Sequence, residues 1–266
     1  MIDYHLHTKR CGHAVGEMRE YVRSSIEKGL QEIGFADHLP LLHTFDPTLT
    51  MSWDDFPFYV ADVMKMKEEF KEIKIRFGVE VDYIPGKVKE LQAIIDEYDF
   101  DYVLGSVHFI DSWGFDDRRF IDNYDNYNID DLYKRYFKEI ADSAKTKLFD
   151  IIAHPDLIKK YGFKPTAKLE DVYKKTIDAI KDSGVAIEIS SAGLRKPVKE
   201  IYPSQEFIDI CYKEGIPIVT GSDAHSPQDV GRDFDKLVES LKLAGYTEVA
   251  TYVARERIMT GLKERV

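Results

Sequence analysis

Eight histidines are spread through this chain of 266 residues, and seven of them fall in short motifs whose residue types suggest metal chemistry. His5 and His7 stand two apart in Asp3-Tyr4-His5-Leu6-His7. At that spacing on a strand both side chains point to one side, so both imidazoles can reach one ion. His13 follows closely, and His38 ends Ala36-Asp37-His38. Glu80 sits within Gly78-Val79-Glu80-Val81-Asp82, His108 ends Gly105-Ser106-Val107-His108, and His154 follows Ile152-Ala153. Asp223 and His225 lie in Gly221-Ser222-Asp223-Ala224-His225. One buried histidine is ordinarily a satisfied core residue, but seven packed together without metal would leave many ring nitrogens unpaired. These nine donors exceed the roughly four to six positions of a single ion, so two or three divalent ions are expected. Imidazole-rich donor sets suit Zn, Fe, Mn or Co better than Mg or Ca.

Gathering such scattered residues requires elements that end at one place. Short apolar strands are expected at Ile2–Leu6, Glu32–Ala36, Ile75–Val81, Tyr102–Val107, Ile151–Ala153, Val185–Ile189, Ile216–Thr220 and Glu248–Val253. Helical patterns separate them: Glu17–Lys28, Phe56–Glu72, Lys87–Glu97, Asp130–Lys147, Leu169–Asp182, Ser204–Glu214, Phe234–Ala244 and Arg255–Lys263. Gly29, Gly184, Gly215 and Gly245 each follow a helix, where the left-handed end conformation favours glycine. Alternating strand and helix implies a parallel sheet with right-handed crossovers, and seven or eight such units favour closure into a β/α barrel. The motif residues then fall at the C-terminal strand ends, the face where such folds bind ligands. No linker or repeat divides the chain, so residues 1–266 are expected to form a single domain.

Lys and Arg total 37 against 48 Asp and Glu, a formal net charge of −11. That balance disfavours binding of a nucleic acid polymer. A small anion remains possible, because divalent ions can reverse the potential inside a cleft. Such ions can also clamp phosphoryl oxygens and lower the pKa of water towards neutrality. The two cysteines form no disulfide framework, no apolar run is long enough for a bilayer, and the N-terminus does not read as a signal peptide. A cytoplasmic monomer or homodimer is expected.

The ordered motifs resemble the PHP superfamily (polymerase and histidinol phosphatase). They run from Asp3–Ala14 through Ala36–His38, Gly78–Asp82 and Gly105–His108 to Gly221–His225, nearly the whole chain. The stretch from Ser191-Ala192-Gly193-Leu194-Arg195-Lys196-Pro197 to Ile201-Tyr202-Pro203 is similar to the histidinol-phosphate phosphatase branch. The resemblance implies an α/β fold, a distorted (β/α)7 TIM-like barrel, with a trinuclear centre. It assigns His5, His7, Glu80 and Asp223 to one ion. His13, His38 and His225 go to a second, and Glu80, His108 and His154 to a third. The implied reaction is hydrolysis of L-histidinol phosphate to L-histidinol and phosphate in histidine biosynthesis, with Asp223, His225 or a bound water as candidate acids for the leaving alkoxide.

Around this set, Arg195 is expected to bind the phosphate dianion through its guanidinium fork. Lys159 or Lys160 is a candidate second cation. Asp37 could orient a ligand ring or touch substrate. Trp113 belongs to the aromatic, acidic segment Phe109–Asn128, which could cover an imidazole and neutralise an ammonium. Cys11, in the first metal loop, could be a soft ligand but reads better as an uncharged packed thiol; Cys211 reads as core and His43 as a loop residue. Three rival readings compete: a PHP phosphoesterase acting on nucleotides or other small phosphomonoesters, a non-catalytic metabolite-binding or regulatory barrel, and a metal-dependent amidohydrolase. The full ligand set counts against the second, and the third would usually need fewer histidines and a bridging lysine.

Overall fold

The computed structural model describes residues 1–262. Seven parallel strands form one sheet in chain order: β1 (Ile2–Leu6), β2 (Glu32–Phe35), β3 (Lys74–Asp82), β4 (Tyr102–Ser106), β5 (Ile151–Ile152), β6 (Ala186–Ser190) and β7 (Ile218–Gly221). The ring nearly closes between its first and last members. Leu6 bridges Ala224, the His7 N–H donates to the Ala224 carbonyl at 3.0 Å, and the Ala224 N–H donates to the His5 carbonyl at 3.1 Å. Around the outside run α1 (Met18–Glu27), α2 (Phe56–Glu69), α3 (Val88–Ile95), α4 (Ile129–Lys145), α5 (Glu170–Ser183), α6 (Gln205–Lys213) and α7 (Phe234–Ala244). The fold is therefore a distorted seven-stranded α/β barrel. Each expected strand and the first seven expected helices form, with ends displaced by a few residues at most.

Apolar side chains fill the barrel because its strands are covered on both faces. Tyr4 and Tyr102 stack inside it with centroids 4.6 Å apart, and the Tyr102 hydroxyl donates to the Tyr4 carbonyl at 2.6 Å. Gly34 and Gly78 make that possible, since a Cβ at either would come within 2.1 and 2.3 Å of the Tyr102 ring and hydroxyl. Two small residues thus buy room for one large aromatic in the barrel's axis.

One element departs from expectation. Arg255–Lys263 does not form a helix over its described residues; Lys263 lies outside them. Instead β8 (Glu248–Val253) pairs antiparallel with β9 (Glu256–Gly261), outside the barrel sheet. Ala254 and Arg255 take positive φ values of 48° and 66°, the geometry of a two-residue hairpin turn matched to strand twist. Arg255 fixes that turn beneath the barrel by bonding Asp150 at 2.9 Å and the Leu148 carbonyl at 2.7 Å. Tertiary anchoring here overrides helical periodicity. No helix among the described residues is long and apolar enough to cross a membrane.

Candidate metal centre

The C-terminal ends of β1, β3, β4 and β5, and the segments after β2 and β7, converge on Glu80, which is 1% exposed. Its Oε2 lies 3.2 Å from His5 Nε2, 3.5 Å from His7 Nε2 and 3.1 Å from His38 Nδ1. Its Oε1 lies 3.0 Å from His154 Nε2 and 3.6 Å from His108 Nε2. Asp223 reaches in beside it, with Oδ1 3.1 Å from His7 Nε2 and 3.9 Å from His5 Nε2. His13 and His225 meet on the outer side, their Nε2 atoms 3.0 Å apart. The structure thus brings all seven motif histidines, Glu80 and Asp223 into one cluster.

Neighbouring groups turn the rings inward. His5 Nδ1 sits 2.8 Å from Glu188, His7 Nδ1 3.5 Å from Asp37 and His108 Nδ1 3.0 Å from Asp82. Carboxylates behind imidazoles fix tautomer and orientation, the usual arrangement around metal ligands. Gly221 leaves the space that Glu188 fills; a Cβ there would stand 1.9 Å from Glu188 Oε1. Asp3, the first residue of the Asp-x-His-x-His run, accepts from the Ser222 and Gly231 N–H groups at 2.8 and 2.9 Å. It thereby ties the Asp223–His225 segment to β1.

The electrostatics suit bound cations. Burial pushes Glu80 up, but His38 and His5 outweigh it and hold the carboxyl well below its usual range. Asp223 is held well below its ordinary value too, as His225 and His7 overcome burial. Burial pushes His38 and His225 well down, which favours neutral, ligating imidazole. His5 and His7 are raised despite burial, by Glu188 and Glu80 and by Asp223 and Asp37 respectively.

The donor set also passes a test of fit. Among the nitrogens that face the cluster, His5 Nε2, His7 Nε2 and His38 Nδ1 are buried without a well-directed hydrogen bond. Orphaned ring nitrogens are costly in a folded protein and are expected where an ion belongs. Ligand atoms of His5, His7 and Asp223, of His5, Glu80 and His154, and of His7, His38 and His225 lie mutually within 4.8 Å.

Beside the cluster opens a cavity of about 290 Å³. Lys160 and Lys196 line it together with Asp82, Asp116, Asp117, Phe109, Leu41 and Leu49. Burial lowers the Lys160 ammonium, but the Asp116 carboxylate more than compensates and raises it. Burial lowers Lys196. A larger hollow of about 490 Å³, lined by Met1, Glu32, Arg76 and the β8–β9 hairpin, has no histidine in its wall.

None of the four residues expected to touch substrate lies in the cavity wall, and Asp37 takes the ring-supporting place that was its other expected role. Lys159 is 3% exposed and turned inward, 2.9 Å from Asp156 and 3.2 Å from Glu200, so Lys160 faces the cavity instead. Asp37 is buried, accepting from the Thr8 and His38 N–H groups, and supports His7. Trp113 is 7% exposed, stacks on Tyr127 and donates to the Phe120 carbonyl at 3.2 Å, making it a plug beneath the Phe109–Asn128 segment. Arg195 donates to the Ser222 carbonyl from behind Asp223 and is not in the cavity wall. Sequence reasoning missed Glu188, although a lone carboxylate inside the apolar run Val185-Ala186-Ile187-Glu188-Ile189 was a readable signal. It also gave no role to Lys196 or Asp82, whereas Asp116 belongs to the acidic segment expected to face an ammonium.

The PHP domain profile matches residues 3–192, and a PHP-associated profile matches residues 207–241. A Deinococcus radiodurans protein named as a probable histidinol-phosphatase is 36% identical, over 92% of this chain and 94% of its own. The Bacillus subtilis histidinol-phosphatase is 27% identical, over 89% of this chain and 98% of its own. Among solved structures, histidinol phosphate phosphatase of Lactococcus lactis, complexed with zinc, L-histidinol and phosphate, superposes with a TM-score of 0.83 at 22% identity, covering 97% and 98% of the two chains. With most of its length under one profile and its histidine cluster at the barrel mouth, this chain belongs to the PHP domain family.

Proposed function

We propose that this chain is a metal-dependent phosphomonoesterase that hydrolyses L-histidinol phosphate to L-histidinol and phosphate. The observation that carries the reading is the cluster of seven imidazoles and two carboxylates opening on a cavity lined by Lys160 and Lys196 together with Asp82, Asp116, Asp117 and Phe109. The relatives named for the same reaction support the choice of substrate.

His5, His7, Glu80 and Asp223 are assigned to one ion, His13, His38 and His225 to a second, and Glu80, His108 and His154 to a third. Zinc is the metal favoured by the imidazole-rich set and by the Lactococcus lactis complex. When bound, such ions supply Lewis acidity towards phosphoryl oxygens and acidify water.

The chain's own groups do the rest. Lys160 and Lys196 add positive charge for the phosphate dianion, and Arg195 steadies the Ser222–Asp223 turn while contributing its charge from behind. Asp82, Asp116 and Asp117 give the ammonium of the substrate a negative wall, and the Phe109 ring offers a face for its imidazole. Asp223 and His225 line the cavity, and since both are held deprotonated there, a bound water that they orient is assigned the protonation of the leaving alkoxide. Because β7 from the C-terminal profile completes the ring begun by β1, we read the chain as one catalytic domain. Phosphate release from L-histidinol phosphate by zinc-loaded protein tests the assignment, and its absence at full metal loading contradicts it.

A further inference from the structure

Cys11 is fully buried in a short turn, Lys9–Cys11, that follows β1. Gly12 reverses the chain immediately after it with φ of 83°, and the Pro47 carbonyl oxygen fills the place its Cβ would take. That reversal brings Cys11 and His13 to the same side. The Cys11 sulfur and one ring nitrogen each of His13 and His225 all lie within 4.8 Å of one another. The sulfur forms a second such group with His7 and Asp37, and both ring nitrogens of fully buried His7 lack a hydrogen-bond partner.

The two outer histidines carry a separate sign of an ion. His13 Nδ1 sits 3.0 Å from the Cys11 carbonyl and His225 Nδ1 3.1 Å from the Asp223 carbonyl. A carbonyl oxygen only accepts, so in the neutral rings each Nδ1 carries the proton and each Nε2 presents a lone pair. Those lone pairs face each other across 3.0 Å. A proton on one ring or a metal ion bound by both resolves the conflict, and the adjacent Cys11 sulfur supplies a third donor for the ion. Zinc bonds of about 2.3 Å to sulfur and about 2.0 Å to imidazole nitrogen put one ion within reach of all three residues.

We propose that Cys11 is a thiolate ligand of the ion held by His13 and His225, which gives one position of the centre a soft donor that selects zinc or cobalt over manganese. The thiol proton leaves to solvent as the metal–sulfur bond forms. Soft sulfur ligands favour such ions, whereas manganese prefers oxygen donors. This inference rests on reading the histidine cluster as a multinuclear metal centre.

Cobalt(II) titration of metal-free protein is the test, read by absorbance and by metal analysis. The expected result is a near-ultraviolet sulfur-to-cobalt charge-transfer band in the native chain that is lost in Cys11→Ser, a change of one atom. The band should survive in Cys211→Ser, because the other cysteine lies buried in α6. Zinc should also exchange for manganese at least about tenfold more readily in Cys11→Ser, the scale at which even outer partners of a metal ligand count. Cobalt bound in full without the band, or a band that persists in Cys11→Ser, overturns the ligation while leaving the phosphatase reading in place. Failure of any cobalt or zinc to bind overturns both.

Discussion

His5 and Glu188 meet at the floor of the cluster: His5 Nδ1 lies 2.8 Å from Glu188 Oε1, and neither side chain is exposed to solvent. The other oxygen of Glu188 accepts from the His154 N–H at 2.7 Å, so one carboxylate on β6 orients ligands from β1 and from the end of β5. Its charge also offsets the cations that the cluster is built to hold. Glu188→Gln keeps the shape but removes that charge, and with one oxygen replaced by a donating amide it can no longer accept from both His5 and the His154 N–H. Metal affinity is expected to fall about 10- to 100-fold, the range for outer-shell partners, with the thermal midpoint of the metal-free protein little changed. Equilibrium dialysis against zinc measures the first and thermal unfolding the second.

Gly221 tests the same contact from the opposite side. Gly221→Ala would place a Cβ 1.9 Å from Glu188 Oε1 and 2.9 Å from the His5 Cβ. The variant should lose metal and turnover together, although the substitution adds a single methyl group to a residue that carries no ligand. Unchanged zinc content would show that Glu188 does not position His5.

Removing the metals should do more than stop catalysis. The buried nitrogens of His5, His7 and His38 lose the partner that their burial requires. Chelation is expected to abolish phosphate release and lower the melting temperature, and zinc should restore both. Linkage puts the stabilisation at about 2.7 kcal/mol when free metal is a hundred times the dissociation constant. His225→Ala, which removes one ligand, should lower metal content and turnover together.

Adjacent lysines are predicted to behave differently. Lys159 neutralises buried Asp156, so Lys159→Met should cost about 3 kcal/mol of stability by leaving that carboxylate uncompensated. Lys160 faces the cavity, 3.0 Å from Asp116. Lys160→Met should raise KM about tenfold, the equivalent of roughly 1.4 kcal/mol of lost binding, with a smaller effect on unfolding. Denaturant titration and steady-state kinetics on both variants separate the two roles.

The ligand cluster was readable because its residues occupy strand ends with distinctive spacing, and period-two geometry alone puts His5 and His7 on one side. The supporting residues were harder to see. Lys159 and Lys160 look alike in sequence, and only the packing of Asp156 and Glu200 beneath the loop decides which one faces the cavity. Trp113 looked like a lid residue, but its indole reaches the Phe120 carbonyl and its ring finds Tyr127, partners formed only when the segment folds. The β8–β9 hairpin was hidden because its turn lacks the usual Asn-Gly signal. Ala254 and Arg255 accept positive φ there because Asp101 and Asp150 hold the turn from the barrel's underside.

Phosphate release by zinc-reconstituted protein, compared across L-histidinol phosphate, a nucleoside monophosphate and an aryl phosphate, tests the central claim most directly. The carboxylates Asp82, Asp116 and Asp117 and the Phe109 ring in the cavity lining predict a kcat/KM for L-histidinol phosphate several orders of magnitude above the other two. Equal and feeble rates on all three substrates would contradict the assignment of histidinol phosphate.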